Sequence, residues 1–324
     1  MPKTSPLARS SLLLLLIGTA CPSIQMQELQ DTHLRKLSVS VLVEHLPQKA
    51  QQIRIWVPAP ISVPGMALQS PLAVSCKGAR FQEKSGADGN RYLFVEAPAG
   101  DAAISIAYEV TMACSTVPPP LEDGSTSGLW ESTETRVEGD QELLTRIRKQ
   151  ALFVTAQQPG WLGKARALAA WLIRDFREGR RQGLALSFEK MRGDPVDMNR
   201  LYVTACGTLG IPATIEAGFA LPKGKGSQTL DEVLIWSRIR IPGMDWIPVD
   251  LRDAQLRRDG WKSRFGGLAE PRIRLSSGVD APLEPPMQDG VPRLFLRPHA
   301  ECDGKVWNGM EIQMVLQRVP GDEH

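Results

Sequence analysis

Between Met198 and Asp250 the spacing of apolar residues changes period, and that ordered change most restricts how this chain can fold. Met198, Leu201, Tyr202, Ala205 and Leu209 recur at i, i+3, i+4 and i+7, the repeat of one buried helix face. Gly210 and Pro212 follow at once, the stop signal expected there. Ile215 to Leu221 then reads as a strand. Val233, Ile235, Ser237, Ile239 and Ile241 alternate with Leu234, Trp236, Arg238 and Arg240, the period of two of a β-strand. Pro242-Gly243 makes a turn and Trp246 to Asp250 a second strand, so the two form a hairpin.

Several separate segments of this block carry a resemblance. They are G-D-P-V-D before the helix, L-G-I-P-A at its end, the Trp236 strand, P-G-M-D-W-I-P-V-D, and a trailing R-I-R-L-S-S-G-V-D. In order and spacing they resemble the core of the bacterial transglutaminase-like domain, a branch of the papain-like cysteine enzymes. The resemblance implies an α+β core with a helix packed on an antiparallel sheet.

It also implies a Cys, His, Asp triad, and here the sequence departs from the family. The family's cysteine stands two residues before the Asp that opens the helix. With that Asp as Asp197, the nucleophile position holds Pro195. The family's histidine stands two residues before the strand Trp, and that position holds Leu234. The aspartate that ends W-x-P-x-D is present as Asp250. Acyl transfer needs a thiolate to attack a carbonyl and an imidazole to take and return the proton. Proline offers no nucleophile and no backbone N–H, and leucine carries no proton. Losing a nucleophile or its base in a comparable triad costs roughly 10⁶ in rate.

Other residues stand far from those slots in sequence. Cys206 lies eleven positions past Pro195, about 16 Å along a helix at 1.5 Å per residue. The histidines are His33, His45, His299 and His324, all outside the block; His299 could approach from the C-terminal segment. Asp194 and Asp197 beside Pro195, with Asp250 opposite, could suggest carboxylate chemistry or a metal. The plainer reading makes Asp197 the helix N-cap.

The N-terminus speaks about compartment. Lys3 and Arg9 precede the apolar run Leu12 to Ile17, followed by Gly18, Thr19 and Ala20. A basic start, a short apolar run and small residues make a secretory signal peptide over residues 1–20, too short to span a bilayer. Cleavage after Ala20 would leave Cys21 first, as in a bacterial lipoprotein, although Gly18 stands where that signal prefers Leu. An exported protein, periplasmic or extracellular and tethered by lipid on Cys21 in the minority case, is expected. Export makes a disulfide between Cys76 and Cys114 possible, with two reduced thiols on separate strands as the alternative. Cys206 reads as a small core residue, and the five cysteines, which include Cys302, show no metal-site spacing. No metal and no cofactor are expected.

The 324 residues, 42% hydrophobic and 23% charged, leave room for two domains. A net charge of +2 gives no reason to invoke nucleic acid or an anionic membrane, and the pairs Arg180–Arg181 and Arg257–Arg258 read as solvated surface. Alternation at Leu37 to Val43, at Ile53 to Val57, and over Arg91 to Glu96 and Ile104 to Met112 predicts an antiparallel β-sandwich over residues 33–115. R-I-W-V-P-A-P within it looks like the domain that often precedes bacterial transglutaminase-like cores. The Pro- and Gly-rich stretch 116–135 reads as a linker. Helices are expected over Asp140 to Gln158 and Leu162 to Glu178. Late strands at Val291 to Leu296 and Met310 to Leu316 are grouped with the second domain, 136–324.

Three functions remain open. In the first, which the residues favour, the domain no longer does thiol chemistry but keeps a cleft that binds a peptide, protein or cell-envelope polymer. Trp236, Trp246 and Asp250 would line that cleft; alternatively the tryptophans are core and Asp250 caps a turn. In the second, the protein is an active transglutaminase or cysteine-protease-like acyl-transfer enzyme with a relocated nucleophile. In the third, it is a structural envelope protein.

Overall fold

The computed structural model describes residues 32–44, 46, 49–86, 88–98, 103–118, 139–221, 226–257 and 260–319, the side chains of 263 and 264 excepted. The expected signal peptide, Cys21, His45, His324 and most of the expected linker lie outside these residues.

The chain opens with seven strands: β1 (His33–Val43), β2 (Gln52–Ala59), β3 (Met66–Leu68), β4 (Ala73–Lys77), β5 (Arg80–Ser85), β6 (Arg91–Pro98) and β7 (Ile104–Cys114). Period-two patterning works as expected in β1, where Leu37, Val39, Val41 and Val43 are all buried. Helices α1 (Gln141–Thr155) and α2 (Gly160–Asp175) follow, then β8 (Arg177–Glu178), α3 (Leu184–Lys190), β9 (Arg192–Gly193) and α4 (Pro195–Thr208). Next come β10 (Ala213–Ala220), β11 (Gln228–Thr229), β12 (Val233–Arg240), β13 (Trp246–Val249), α5 (Leu251–Leu256), α6 (Trp261–Arg264) and β14 (Arg272–Ser277). The chain closes with β15 (His299–Cys302), β16 (Lys305–Val306) and β17 (Glu311–Arg318).

Two sheets form the sandwich, β11-β17-β1-β7-β3 with β4 also on β7, and β16-β15-β2-β6-β5. The C-terminal strands therefore belong to it. Leu37 faces Leu316 across β1 and β17, and Ala300 faces Ile55 across β15 and β2. This corrects the grouping of the late strands with the helical unit: β17 covers the outer edge of β1 and sends Met314 and Leu316 into the sandwich core. It also corrects the strand expected at Val291 to Leu296. That stretch forms no strand, although Phe295 and Leu296 are buried. Phe295 joins Trp56, Tyr92, Phe94, Leu283 and Met287 in a small aromatic core on the far face of β2 and β6. That cover explains why β2 is buried on both faces.

Of the two readings of Cys76 and Cys114, the structure shows reduced thiols on separate strands, β4 and β7. Cys76 sits opposite Ile106 on β7, and Cys114 is eight residues further along that strand, about 26 Å away at 3.3 Å per residue. A disulfide needs Cα atoms within about 7 Å. Both thiols are free.

The second unit sets α4 against the sheet β13-β12-β10-β14. Leu201, Tyr202 and Ala205 are fully buried, joined by α1 and α2 through Ile147, Leu168 and Leu172. Burial of each such side chain contributes about 2 kcal/mol. At Gly218 a Cβ would stand 1.7 Å from the Ile273 carbonyl oxygen, so only glycine lets β14 approach β10 at the irregularity there.

Candidate functional site: a groove at the start of the central helix

The start of α4 is heavily tied. Asp194, not Asp197, is its N-cap: the Asp194 carboxylate accepts from the Asp197 N–H at 2.8 Å, and Asp197 accepts from the Asp194 N–H at 3.1 Å. The correction has a simple cause. Pro195 already occupies the first helical position, where a missing N–H costs nothing. Asp197 is fully buried and also accepts from the Gln182 N–H at 2.8 Å. Arg293 clamps both carboxylates, reaching Asp194 at 2.5 Å and Asp197 at 2.6 Å. Burial pushes the Asp197 carboxyl up, but the donors Gln182 and Asp194 and the Arg293 charge outweigh it and hold it below the usual range. An ionised, fully engaged carboxylate is the opposite of the raised acid that paired-carboxylate chemistry needs.

Asn199 links this turn to the sheet. Its amide donates to the Pro195 carbonyl at 2.9 Å, and its carbonyl accepts from the Ser237 hydroxyl at 2.7 Å. The link holds β12 beside the helix start and so fixes Leu234 relative to Pro195.

Asp250 ends β13 and caps α5. One carboxylate oxygen accepts from the Asp253 N–H at 2.9 Å, and the other accepts from Arg272 Nη1 at 2.8 Å. Both partners of that ion pair are nearly buried, their side chains 7% and 12% exposed for Arg272 and Asp250. Where the family would place an imidazole, this chain engages the carboxylate with a guanidinium.

Pro195, Leu234 and Asp250 line one open groove of about 440 Å³, as the sequence positions require. Leu221, Val233 and Leu256 supply apolar wall, and Arg252, Asp253, Arg257 and Glu270 supply charge. Among the described residues, neither cysteine nor histidine lines it. Cys206 is buried in the core of the helical unit, its thiol pushed up to about 12 by burial, against a lowering hydrogen bond from Tyr202. His299 stands on β15 in the sandwich, 5.9 Å from the Trp56 ring, and burial pushes its pKa down against the charge of Glu301. Among the described residues no group of three or more His, Cys, Asp or Glu is placed to hold a metal ion.

The expectation that Trp236 and Trp246 line the groove is corrected. Trp236 shares a strand face with Leu234 but is 2% exposed, because Arg272 lies over its ring, 5.0 Å from the centroid. Its Nε1 donates to Glu216 at 3.0 Å. Arg238 covers Trp246 at 4.4 Å. Both rings face a separate crevice against Val63 to Gly65 of the sandwich. Arg272, Arg293 and the Asn199–Ser237 pair were missed in the sequence; the place of Arg272 at the head of the trailing R-I-R-L-S-S-G-V-D segment was the hint available.

Comparison with known proteins agrees with this geometry. Residues 148–251 match the sequence model of the Transglutaminase-like superfamily. A candidate cysteine protease from Cytophaga hutchinsonii has a solved structure similar to this chain, with TM-score 0.52 and 12% identity, covering 91% of this chain and 93% of that one. The periplasmic domain of TgpA from Pseudomonas aeruginosa gives TM-score 0.34 and 12% identity over 70% of this chain and 91% of that one. No curated protein sequence matches significantly. With the helix, the hairpin and the convergent groove in place, residues 148–251 match a transglutaminase-like domain, joined in this chain to a β-sandwich that β15 and β17 complete.

Proposed function

We propose that the protein is an exported binding protein whose transglutaminase-like groove holds an extended peptide or protein segment, or a cell-envelope polymer, without cutting or joining it. The observation that carries this reading is the groove itself. It stays open at Pro195, Leu234 and Asp250, while the described residues of its walls include no cysteine or histidine and Asp250 is committed to Arg272 and the α5 cap. The export half of the reading rests on the N-terminal apolar run.

The sheet supports an extended occupant. β10 pairs with β12 from Val233 to Ile239, but β13 pairs only with Ser237 to Arg240. Glu232 accepts from Ala220 and Arg240 donates to Pro212, so even-numbered residues turn their backbone groups toward the β10 side. Val233 and Ile235 then present theirs at the groove, where no described strand pairs with them. An extended chain could pair there and set side chains against Leu234 and Leu256.

The test is a panel of fluorescent extended peptides and envelope glycan fragments titrated against the protein and against Leu234→Trp, which fills the groove. Binding that falls at least tenfold in the variant, with unchanged thermal unfolding, is expected. Equal binding by both proteins would remove the groove from the account, and alkylation-sensitive consumption of a peptide would replace binding with catalysis.

A further inference from the structure

The overall charge of +2 conceals an uneven distribution. From Arg146 to Arg174 the chain carries Arg146, Arg148, Lys149, Lys164, Arg166 and Arg174 and no Asp or Glu. The structure folds this stretch into the α1–α2 hairpin. Arg146 is paired with Glu189 and Arg174 with Asp175. Midway along α1, Arg148 and Lys149 are exposed without a described acidic partner, and in the first turns of α2 Lys164 lies over the Trp161 ring at 5.2 Å.

Between these charges the helix exposes its largest apolar surface. Phe153 is 78% exposed and Leu152 52% exposed. Helical geometry puts Lys149, Leu152, Phe153 and Ala156 on one outward face, since they lie three, four and seven residues apart. Trp161 and Leu162 follow across the turn, half-buried. Exposed apolar residues flanked by cations are the pattern of a surface that seats in the headgroup layer of a bilayer.

We infer that the outer face of the α1–α2 hairpin is a docking surface for an anionic lipid membrane, with Leu152 and Phe153 entering the interface and Arg148, Lys149 and Lys164 meeting the headgroups. A second copy of this chain is a poor occupant, because a two-fold contact would set this cationic patch against an identical cationic patch. A soluble polyanion would use the charges and leave the apolar pair in water. Of these three, the bilayer takes both. This surface lies on helices that supply no wall of the groove, and the inference stands apart from the proposed ligand.

The test is flotation of the full chain with vesicles of pure phosphatidylcholine and with vesicles containing a third phosphatidylglycerol, at low and high salt. Three proteins are compared: the natural chain, Leu152→Ser/Phe153→Ser, and Arg148→Glu/Lys149→Glu. Because all three keep the N-terminal apolar run, its binding is common to them and to both lipids. The natural chain is expected to bind anionic vesicles more tightly, by about fivefold for each engaged cation, with the gain lost at high salt. Each variant should lose that gain while unfolding at the same temperature. Equal binding to both lipids, or a gain that survives in either variant, overturns the inference. So does heparin binding that ignores the serine pair while vesicle binding is absent. A natural chain that sediments as a dimer, with Phe153→Ser returning it to monomer, overturns it in favour of self-association.

Discussion

Replacing Asp250 by alanine separates two views of that residue. In an active triad it would hold an imidazole, and removing it from a site without one should cost little stability. Here it holds the protein together. Asp250→Ala leaves the Arg272 guanidinium without its carboxylate in a site where that side chain is 7% exposed. Breaking a buried pair from one side costs about 3–5 kcal/mol, and losing the α5 cap costs about 1 kcal/mol. The terms overlap, so about 4 kcal/mol is expected, near a thousandfold in the folding equilibrium. Urea unfolding followed by tryptophan fluorescence reads the transglutaminase-like unit directly, since Trp236 lies under Arg272. Asp250→Asn keeps an acceptor for the Asp253 N–H but not the charge and should fall between. A cycle with Arg272→Met should show a coupling of about 1–3 kcal/mol. A loss below about 1 kcal/mol for Asp250→Ala, or no coupling to Arg272, would refute the structural role.

Other outcomes follow from the same geometry. Asp197 titrates below the ordinary carboxylate range, so the stability it gives is complete above about pH 4, the unfolded value. That stability is lost as pH falls through the folded value, and Asp197→Asn should flatten the fall in urea midpoint between pH 5 and pH 2. Cys114 and Cys206, both pushed up to about 12 by burial, should resist Ellman's reagent at pH 8 until urea is added, whereas half-buried Cys76 reacts sooner. Truncation before Glu311 removes β17 with Met314 and Leu316, roughly 4 kcal/mol of burial. Limited proteolysis should then open the N-terminal sandwich first; unchanged resistance there would contradict the shared sheet. Gly218→Ala should abolish folding of the second unit, because backbone rather than a movable side chain meets the new Cβ.

What the sequence disclosed and what it withheld divide along contact distance. The helix at Met198 to Leu209 and the hairpin at Val233 to Asp250 were legible because periodicity and turn residues act within about ten positions. The convergence of Pro195, Leu234 and Asp250 was legible only through resemblance, since a motif carries tertiary placement that local pattern does not. The clamps were not legible. Arg293 reaches Asp194 and Asp197 across 99 and 96 residues, and Arg272 reaches Asp250 across 22. The period of two put Trp236 correctly on the face of Leu234, but only the fold shows Arg272 lying over its ring and the sandwich closing over the crevice. Of the closing strands only β17 was read as β-structure, and its partner β1 lies more than 240 residues away, Leu37 facing Leu316; β15, which sets Glu301 against Arg54 of β2 at a similar separation, was not read as a strand.

The proposed loss of thiol chemistry is tested most directly by turnover. Purified protein is incubated with a glutamine-containing peptide and a labelled amine, and separately with a quenched peptide substrate, before and after iodoacetamide. No product above the protein-free rate is predicted, and Pro195→Cys with Leu234→His is predicted to introduce a thiol that reacts faster than any natural cysteine. Product formation by the natural chain that iodoacetamide abolishes would contradict the account.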